Sequence, residues 1–299
     1  MASEAGAGAR REAAAYRITD VHIHVQPFDQ LKPGALAVMR RGPDDRLEFL
    51  RALMNDPQML LGIMDQDGID RVGIVNYPSP AIMGFTEATN DWAARYAEAD
   101  PRRILPYGGV DPVTTRDAVG SVEHLLEIGT RVLKIHPCHM AVAANAYTDG
   151  LSALADIYRT CEARGLPVMV HTGTSIFPGA RSKYGNPLEL DDVAIDFPDL
   201  TIIMAHGGRP LFMAEAFFVL RRHQNVWLDL SGIPPKSLPE YFPRLAELEH
   251  KVLWGTDWPS PGVTTMRRNV DQFIALPFPE SLKRAALETN ALRLLPERG

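Results

Sequence analysis

The chain has 299 residues, 45% of them hydrophobic and 23% charged, with a formal net charge of −6. This is the balance of a globular protein and lacks the basic footprint of a nucleic-acid or anionic-membrane partner. No apolar run approaches the ~18 residues of a transmembrane helix. Two cysteines, Cys138 and Cys161, are too few for a disulfide framework, and no apolar segment follows Arg10 and Arg11 as a leader would require, so the cytoplasm is the expected compartment.

Residues 1–16, MASEAGAGARREAAAY, read as a disordered tail, and 17–299 as a single domain. Eight short β-rich runs follow: YRITDVHIHV near 20, DRVGIVNY near 72, RILPYGGV near 105, TRVLKIHP near 132, LPVMVHTG near 168, LTIIMAHGG near 202, NVWLDLSG near 227 and KVLWGTDW near 253. Between them SVEHLLEIG, GLSALADIYRTCEARG and PLFMAEAFFVLRRH carry helical apolar spacing and end near Gly or basic residues. Strand–helix alternation predicts a parallel sheet with crossover helices. Eight units without a composition break predict an α/β protein of the (β/α)8 TIM-barrel type, with an open doubly wound sheet as the alternative. Three gaps exceed what a barrel needs: 26–60, expected to form a small cap with its own helix, 137–150 and 172–190. In a barrel such loops surround the active site.

The first run places His22 and His24 on one face of a strand, with Asp20 below them. By itself H-x-H is weak evidence for a metal, since it arises by chance. Position strengthens it: His136, His171, His206 and Asp257 each end a predicted strand, where a barrel converges its side chains on one pocket. His139 lies nearby, whereas His124, His223 and His250 read as solvated. A His-x-His pair, one more histidine and an aspartate suit Zn²⁺ or a similar ion with room for water. Asp257 can both ligate the ion and take a proton from water, and His206 is then left for acid/base work.

DVHIH on the first strand, VMVHTG on the fifth, MAHGG on the sixth, GTDWP on the eighth and the closing ETNALRLL resemble, in that order, the amidohydrolase superfamily. The likeness is greatest to the amidohydrolase-2 branch that contains aminocarboxymuconate semialdehyde decarboxylase, and it covers residues 17–296. The resemblance implies that His22, His24, His171 and Asp257 ligate one divalent ion, Zn²⁺ with Mn²⁺ as the alternative, and that His206 and Asp257 are catalytic. Binuclear relatives carry a carboxylated lysine on the fourth strand, where this chain has Lys134. Pairing of Lys134 with Asp20 beneath the metal is the preferred expectation, because a buried ammonium needs a partner. Some phenolic-acid decarboxylases of the branch have a glutamate in place of the first histidine; this chain keeps His22.

For substrate, His136 at the rim, Arg181 and Tyr184 with Lys183 in the loop after strand five, and Trp258 and Phe28 as walls are the candidates. Asp229 and Ser231 share a face of strand seven. No Gly-x-Ser-x-Gly elbow or dinucleotide fingerprint occurs. With no second cysteine near Cys138, a thiolate metal site is not expected. The expected partner is a small molecule, with a homo-oligomer left open. Hydrolysis of an amide, ester or lactone of a small carboxylated substrate ranks first, and non-oxidative decarboxylation of an unsaturated or aromatic acid second. A non-catalytic ligand-binding barrel is the rival of another class, and it would have no need of the full ligand set.

Overall fold

A computed structural model describes residues 16–43 and 45–297. The tail expected at the N-terminus lies outside the described residues except for Tyr16, which is buried and donates its hydroxyl to Glu280. All eight predicted strands form: β1 (Thr19–Ile23), β2 (Arg71–Ile74), β3 (Ile104–Gly109), β4 (Val132–Ile135), β5 (Val168–His171), β6 (Ile202–Ala205), β7 (Val226–Asp229) and β8 (Val252–Leu253). Their spatial order is their chain order, and every adjacent pair is parallel. With helices outside and side chains filling the interior, both faces of each strand are covered. This explains why the runs are almost continuously apolar rather than alternating.

β8 has only two residues, so the ring closes by backbone contacts that run beyond it. Val21 N–H donates to Trp254 O at 2.9 Å, His24 N–H to Trp258 O at 2.6 Å and Asp257 N–H to His22 O at 2.8 Å. This closure excludes the open doubly wound sheet. Asn290, in the ETNALRLL motif, supports the short strand from outside by donating to Val252 O at 2.8 Å and Glu249 O at 2.7 Å.

The helical spacings are also realised, at Ala118–Glu127, Ser152–Arg164 and Met213–Arg222. After β1 come helices Pro33–Met39 and Arg46–Asn55, then Pro57–Asp67, which returns the chain to β2. The last is delimited by ordinary chemistry: the Asp56 carboxylate accepts from Gln58 N–H, and Gly68 ends the helix at φ 66°. The segment after β1 buries two small apolar clusters apart from the barrel core, one around Phe28, Met39, Leu50 and Met54, the other around Ala35, Met83 and Phe85. Phe177, from the loop after β5, packs against both. The two longest loops thus meet over the C-terminal ends of the strands.

Arginines tie the opposite end. Arg71 donates to Leu295 O at 2.7 Å, and Arg17 reaches Glu297 at 2.7 Å and Asp70 at 2.9 Å. His223 is not solvated as expected: it pairs with Asp191 at 2.6 Å with a side chain only 10% exposed. Among the described residues no helix is long and apolar enough to cross a membrane.

Candidate active site

The strand ends deliver their histidines to one place. His22 and His24 leave β1 with their Nε2 atoms 3.3 Å apart, and Asp257 Oδ1, just past β8, lies 3.0 Å from His24 Nε2 and 3.5 Å from His22 Nε2. His206 and Asp257 both adopt left-handed backbone, at φ 69° and 66°. Such a conformation costs a non-glycine residue about 1–3 kcal/mol and persists only where surrounding bonds enforce it. Here those bonds are Asp257 N–H to His22 O at 2.8 Å and His206 Nδ1 to Ser231 O at 2.8 Å.

The ring tautomers follow from acceptors that cannot donate. The Ser231 carbonyl accepts only, so His206 carries its proton on Nδ1 and leaves Nε2 with a lone pair. His22 Nδ1 lies 2.6 Å from Asp229 Oδ2, and Ser231 Oγ donates to the same oxygen at 2.7 Å. His22 therefore holds its proton on Nδ1 as well. Its Nε2 lone pair then faces the Asp257 carboxylate, an arrangement of acceptors that calls for a cation between them. Asp229 and Ser231 lie beneath the site and orient two of its histidines. A D-x-S pair at the end of a strand is the signal for them in the sequence, though nothing there says which rings they meet.

A row of rings continues around the rim. His22 and His206 centroids are 4.9 Å apart, His206 and His171 4.7 Å, His171 and His136 3.8 Å, and His136 and His139 3.5 Å. The last two pairs are stacked. His139 is fixed by Tyr77 Oη at 3.0 Å and Ser175 Oγ at 2.8 Å. Burial, reinforced by neighbouring imidazoles and cations, holds His136, His171 and His206 well below the ordinary histidine range, so these rings are neutral. Burial works upward on Asp257, but the hydrogen bond from His24 and the positive charge around it hold the carboxyl well below its usual range.

Lys134 does not pair with Asp20. Asp20 instead accepts from Thr256 N at 3.0 Å, Thr256 Oγ1 at 2.6 Å and His22 N at 3.1 Å, and so ties β1 to the segment after β8. Thr256 is its nearer neighbour because the closing seam of the barrel brings the two strands together. Lys134 Nζ is buried without a hydrogen-bond partner, and burial pushes its pKa down to about 8 against the pull of Asp229 and Asp257.

These groups line a cavity of about 540 Å³ together with Met39, Met83 and Phe177 from the meeting loops. His22, His24, His136, His139, His171, His206 and Asp257 all reach it; Arg181, Tyr184, Trp258 and Phe28 are not among its lining residues. Tyr184 lies under Lys183 at 4.7 Å, Trp258 packs edge-on to Phe49 at 6.0 Å, and Phe28 is buried in the cluster above. The cations at the cavity are Lys134, Arg209, Lys236 and Arg268. Arg209, unanticipated in the sequence, comes within 3.6 Å of Asp257, and its Nε is buried without a partner.

The donor set fits a divalent ion. Two ligands ~2.0–2.1 Å from a tetrahedral ion stand ~3.4 Å apart, close to the 3.0–3.5 Å among His22, His24 and Asp257. Nε2 of His171 is buried and without a hydrogen-bond partner, and a ring nitrogen of His206 lies within 4.8 Å of ligand atoms of His22 and Asp257.

The family model for the amidohydrolases matches residues 19–296. No curated protein matches the chain significantly in sequence. Among solved structures, an uncharacterized TIM-barrel protein from Bordetella bronchiseptica is similar with a TM-score of 0.73 at 22% identity, covering 93% of this chain and 98% of that one. A probable 2-pyrone-4,6-dicarboxylic acid hydrolase from Acinetobacter baumannii, with citric acid bound, has a TM-score of 0.67 at 17% identity, covering 93% and 99%. A 5-carboxyvanillate decarboxylase from Novosphingobium aromaticivorans, complexed with manganese, has a TM-score of 0.69 at 15% identity, covering 94% and 96%. At these identities the likeness is one of fold.

Proposed function

Because the chain belongs to the amidohydrolase family of metal-dependent enzymes, we propose that it is a hydrolase of small carboxylated substrates with a scissile lactone, ester or amide. His22, His24, His171 and Asp257 hold one divalent ion, Zn²⁺ or alternatively Mn²⁺. Such an ion polarises a substrate carbonyl and lowers the pKa of bound water toward ~7. The observation that carries the reading is the convergence of His22 Nε2, His24 Nε2 and Asp257 Oδ1 within 3.5 Å, with His22 oriented from behind by Asp229.

Asp257, held ionised, takes the proton that water gives up as its oxygen bonds to the carbonyl carbon, and passes it to the leaving oxygen or nitrogen. His206 can only accept at Nε2, because its other nitrogen is committed to the Ser231 carbonyl. It is the second proton acceptor of the site. Four cations against one carboxylate at the cavity select an anionic substrate, and Arg209, with an unpartnered Nε, is the group suited to grip a carboxylate. The two buried free cysteines accord with a reducing, cytoplasmic setting.

Decarboxylation is the second reading, favoured by the buried Lys134 ammonium at the cavity, which would attract a carboxylate, with His206 Nε2 taking a proton from the substrate and returning it to the carbon that loses CO₂. Assaying CO₂ release against hydrolysed product over a panel of aryl carboxylates and carboxylated lactones separates the two. Hydrolysed product without CO₂ is expected, and CO₂ without hydrolysis would sink the first reading. Elemental analysis tests the enzyme reading itself: metal at one equivalent in the wild type and its loss in His22→Ala are expected, whereas a metal-free wild type points to a ligand-binding barrel.

A further inference from the structure

Behind the cavity wall a second donor cluster shares one residue with the proposed centre. A ring nitrogen each from His136 and His171 and the Cys138 sulfur lie within 4.8 Å of one another, all three residues buried. Nδ1 of His136 and Nε2 of His171 have no hydrogen-bond partner. Cys138 makes one weak contact, its thiol donating to Gly173 O at 3.5 Å. His136 and His171 line the cavity, which gives an ion a route in, while Cys138 lies behind them.

We propose that His136, Cys138 and His171 form a second, separate site for a thiophilic d¹⁰ ion such as Cd²⁺, Cu⁺ or excess Zn²⁺, and that filling it withdraws His171 from the centre at His22, His24 and Asp257. A two-imidazole, one-thiolate set favours soft ions over the hard ones that carboxylates select. Donors around such an ion stand ~3.4–3.8 Å apart, so a cluster whose donors all lie within 4.8 Å of one another has to contract by no more than about 1.4 Å. The stacked rings of His136 and His171, 3.8 Å apart with 14° between their planes, lose no hydrogen bond at their unpartnered nitrogens on splaying toward the sulfur, and His171 moves the more because His136 is also stacked on His139 at 3.5 Å. On binding, the thiol proton passes to solvent and the sulfur–metal bond replaces the contact to Gly173. Burial holds the free thiol neutral, up to about 12, so sulfur ligation requires the ion itself.

The use of His171 rests on the proposed function, but the sulfur makes the second site separately visible. The metal-loaded protein is titrated with Cd²⁺ while the ultraviolet thiolate-to-cadmium charge-transfer band and the hydrolytic activity are followed. The wild type is expected to gain the band at one ion per chain and to lose activity in parallel. Cys138→Ser, which keeps the donor to Gly173 O, should lack the band and bind this ion at least about tenfold more weakly, with its resident metal and activity intact. Cys161→Ser should keep the band, which assigns it to Cys138 even if the first variant folds poorly. A wild type without the band, a band that survives in Cys138→Ser, or a band unaccompanied by loss of activity would overturn the proposal. Failure of the primary centre is a different result, namely no resident metal for His22→Ala to lose, and it leaves the sulfur band unaffected.

Discussion

Asp229 does not line the cavity, yet it decides how His22 is protonated and, through Ser231, how that serine stands beside His206. Carboxylates behind ligating histidines typically contribute 10–100-fold to metal affinity. Asp229→Ala is therefore expected to weaken the affinity of the resident metal by about 10–100-fold, measured by competition with a chromophoric chelator, with the fold retained by circular dichroism. Arg209 and Arg181 separate two views of substrate capture: Arg209→Gln should raise KM about tenfold or more, in line with loss of a charge-assisted bond of ~1.5–3 kcal/mol, whereas Arg181→Ala should leave KM within about twofold. Both follow from placement, since only Arg209 reaches the cavity. The gathering of these residues at one cavity was legible beforehand because H-x-H alternation and strand-terminal positions are local properties: His22, His24, His171, His206 and Asp257 needed only the barrel hypothesis to be brought together. What decided Lys134 and Asp20 is not local. Both face inward, but the angular distance between β4 and β1, and the presence of Thr256 at the seam beside Asp20, belong to the closed ring.

The segment from 172 to 190 shows why loop residues are harder to read than strand ends. Its composition offers Arg181 and Tyr184 as substrate contacts, but its course is set by two glycines pressed together: Gly173 N–H donates to Gly185 O at 2.7 Å, and a Cβ on Gly185 would stand 1.9 Å from Gly173 O. That contact turns Ser175 and Phe177 toward the cavity and leaves Arg181 and Tyr184 off it. Gly185→Ala should cost about 1–3 kcal/mol through overpacking, read as a lowered Tm, and should alter KM as well, because the cavity wall moves with the loop. The loop runs on into the helix Glu189–Asp196, whose first residue accepts from Ala144 N–H at 2.8 Å. Burial raises the Glu189 carboxyl to about 7 despite that bond. Its folded pKa exceeds the ordinary 4.5, so the stability it contributes is complete below about 4.5 and is lost as pH rises through about 7. Glu189→Gln, which keeps the acceptor and removes the charge, should stabilise the protein at pH 8 by about 1 kcal/mol, discounted for its partial exposure, and flatten the pH 4.5–7 part of the stability profile in denaturant titrations.

The barrel divides its duties between its two ends: the arginines at one end hold the C-terminal residues, and the chemistry gathers at the other. The order of the strands and their parallel sense were readable from eight recurring runs, because each unit builds its own β–α turn. How the last strand meets the first was not, since β8 supplies two residues and closure falls to backbone amides of Val21, His24 and Asp257. An ion bound at one hundred times its Kd adds about 2.7 kcal/mol to stability, so treatment with a chelator should lower the Tm of the metal-loaded protein accordingly. The position of that ion matters beyond its affinity. Three of its four proposed ligands, His22, His24 and Asp257, stand on both sides of the one junction that the sheet does not stitch by a full strand, so the ion acts as a rivet across a split hoop. Stripping it should let the hoop breathe at the rivet before anything else loosens: deuterium uptake at the amides of Val21, His24 and Asp257 should accelerate, while those of β3 and β4, which carry none of its proposed ligands, hold their protons as before.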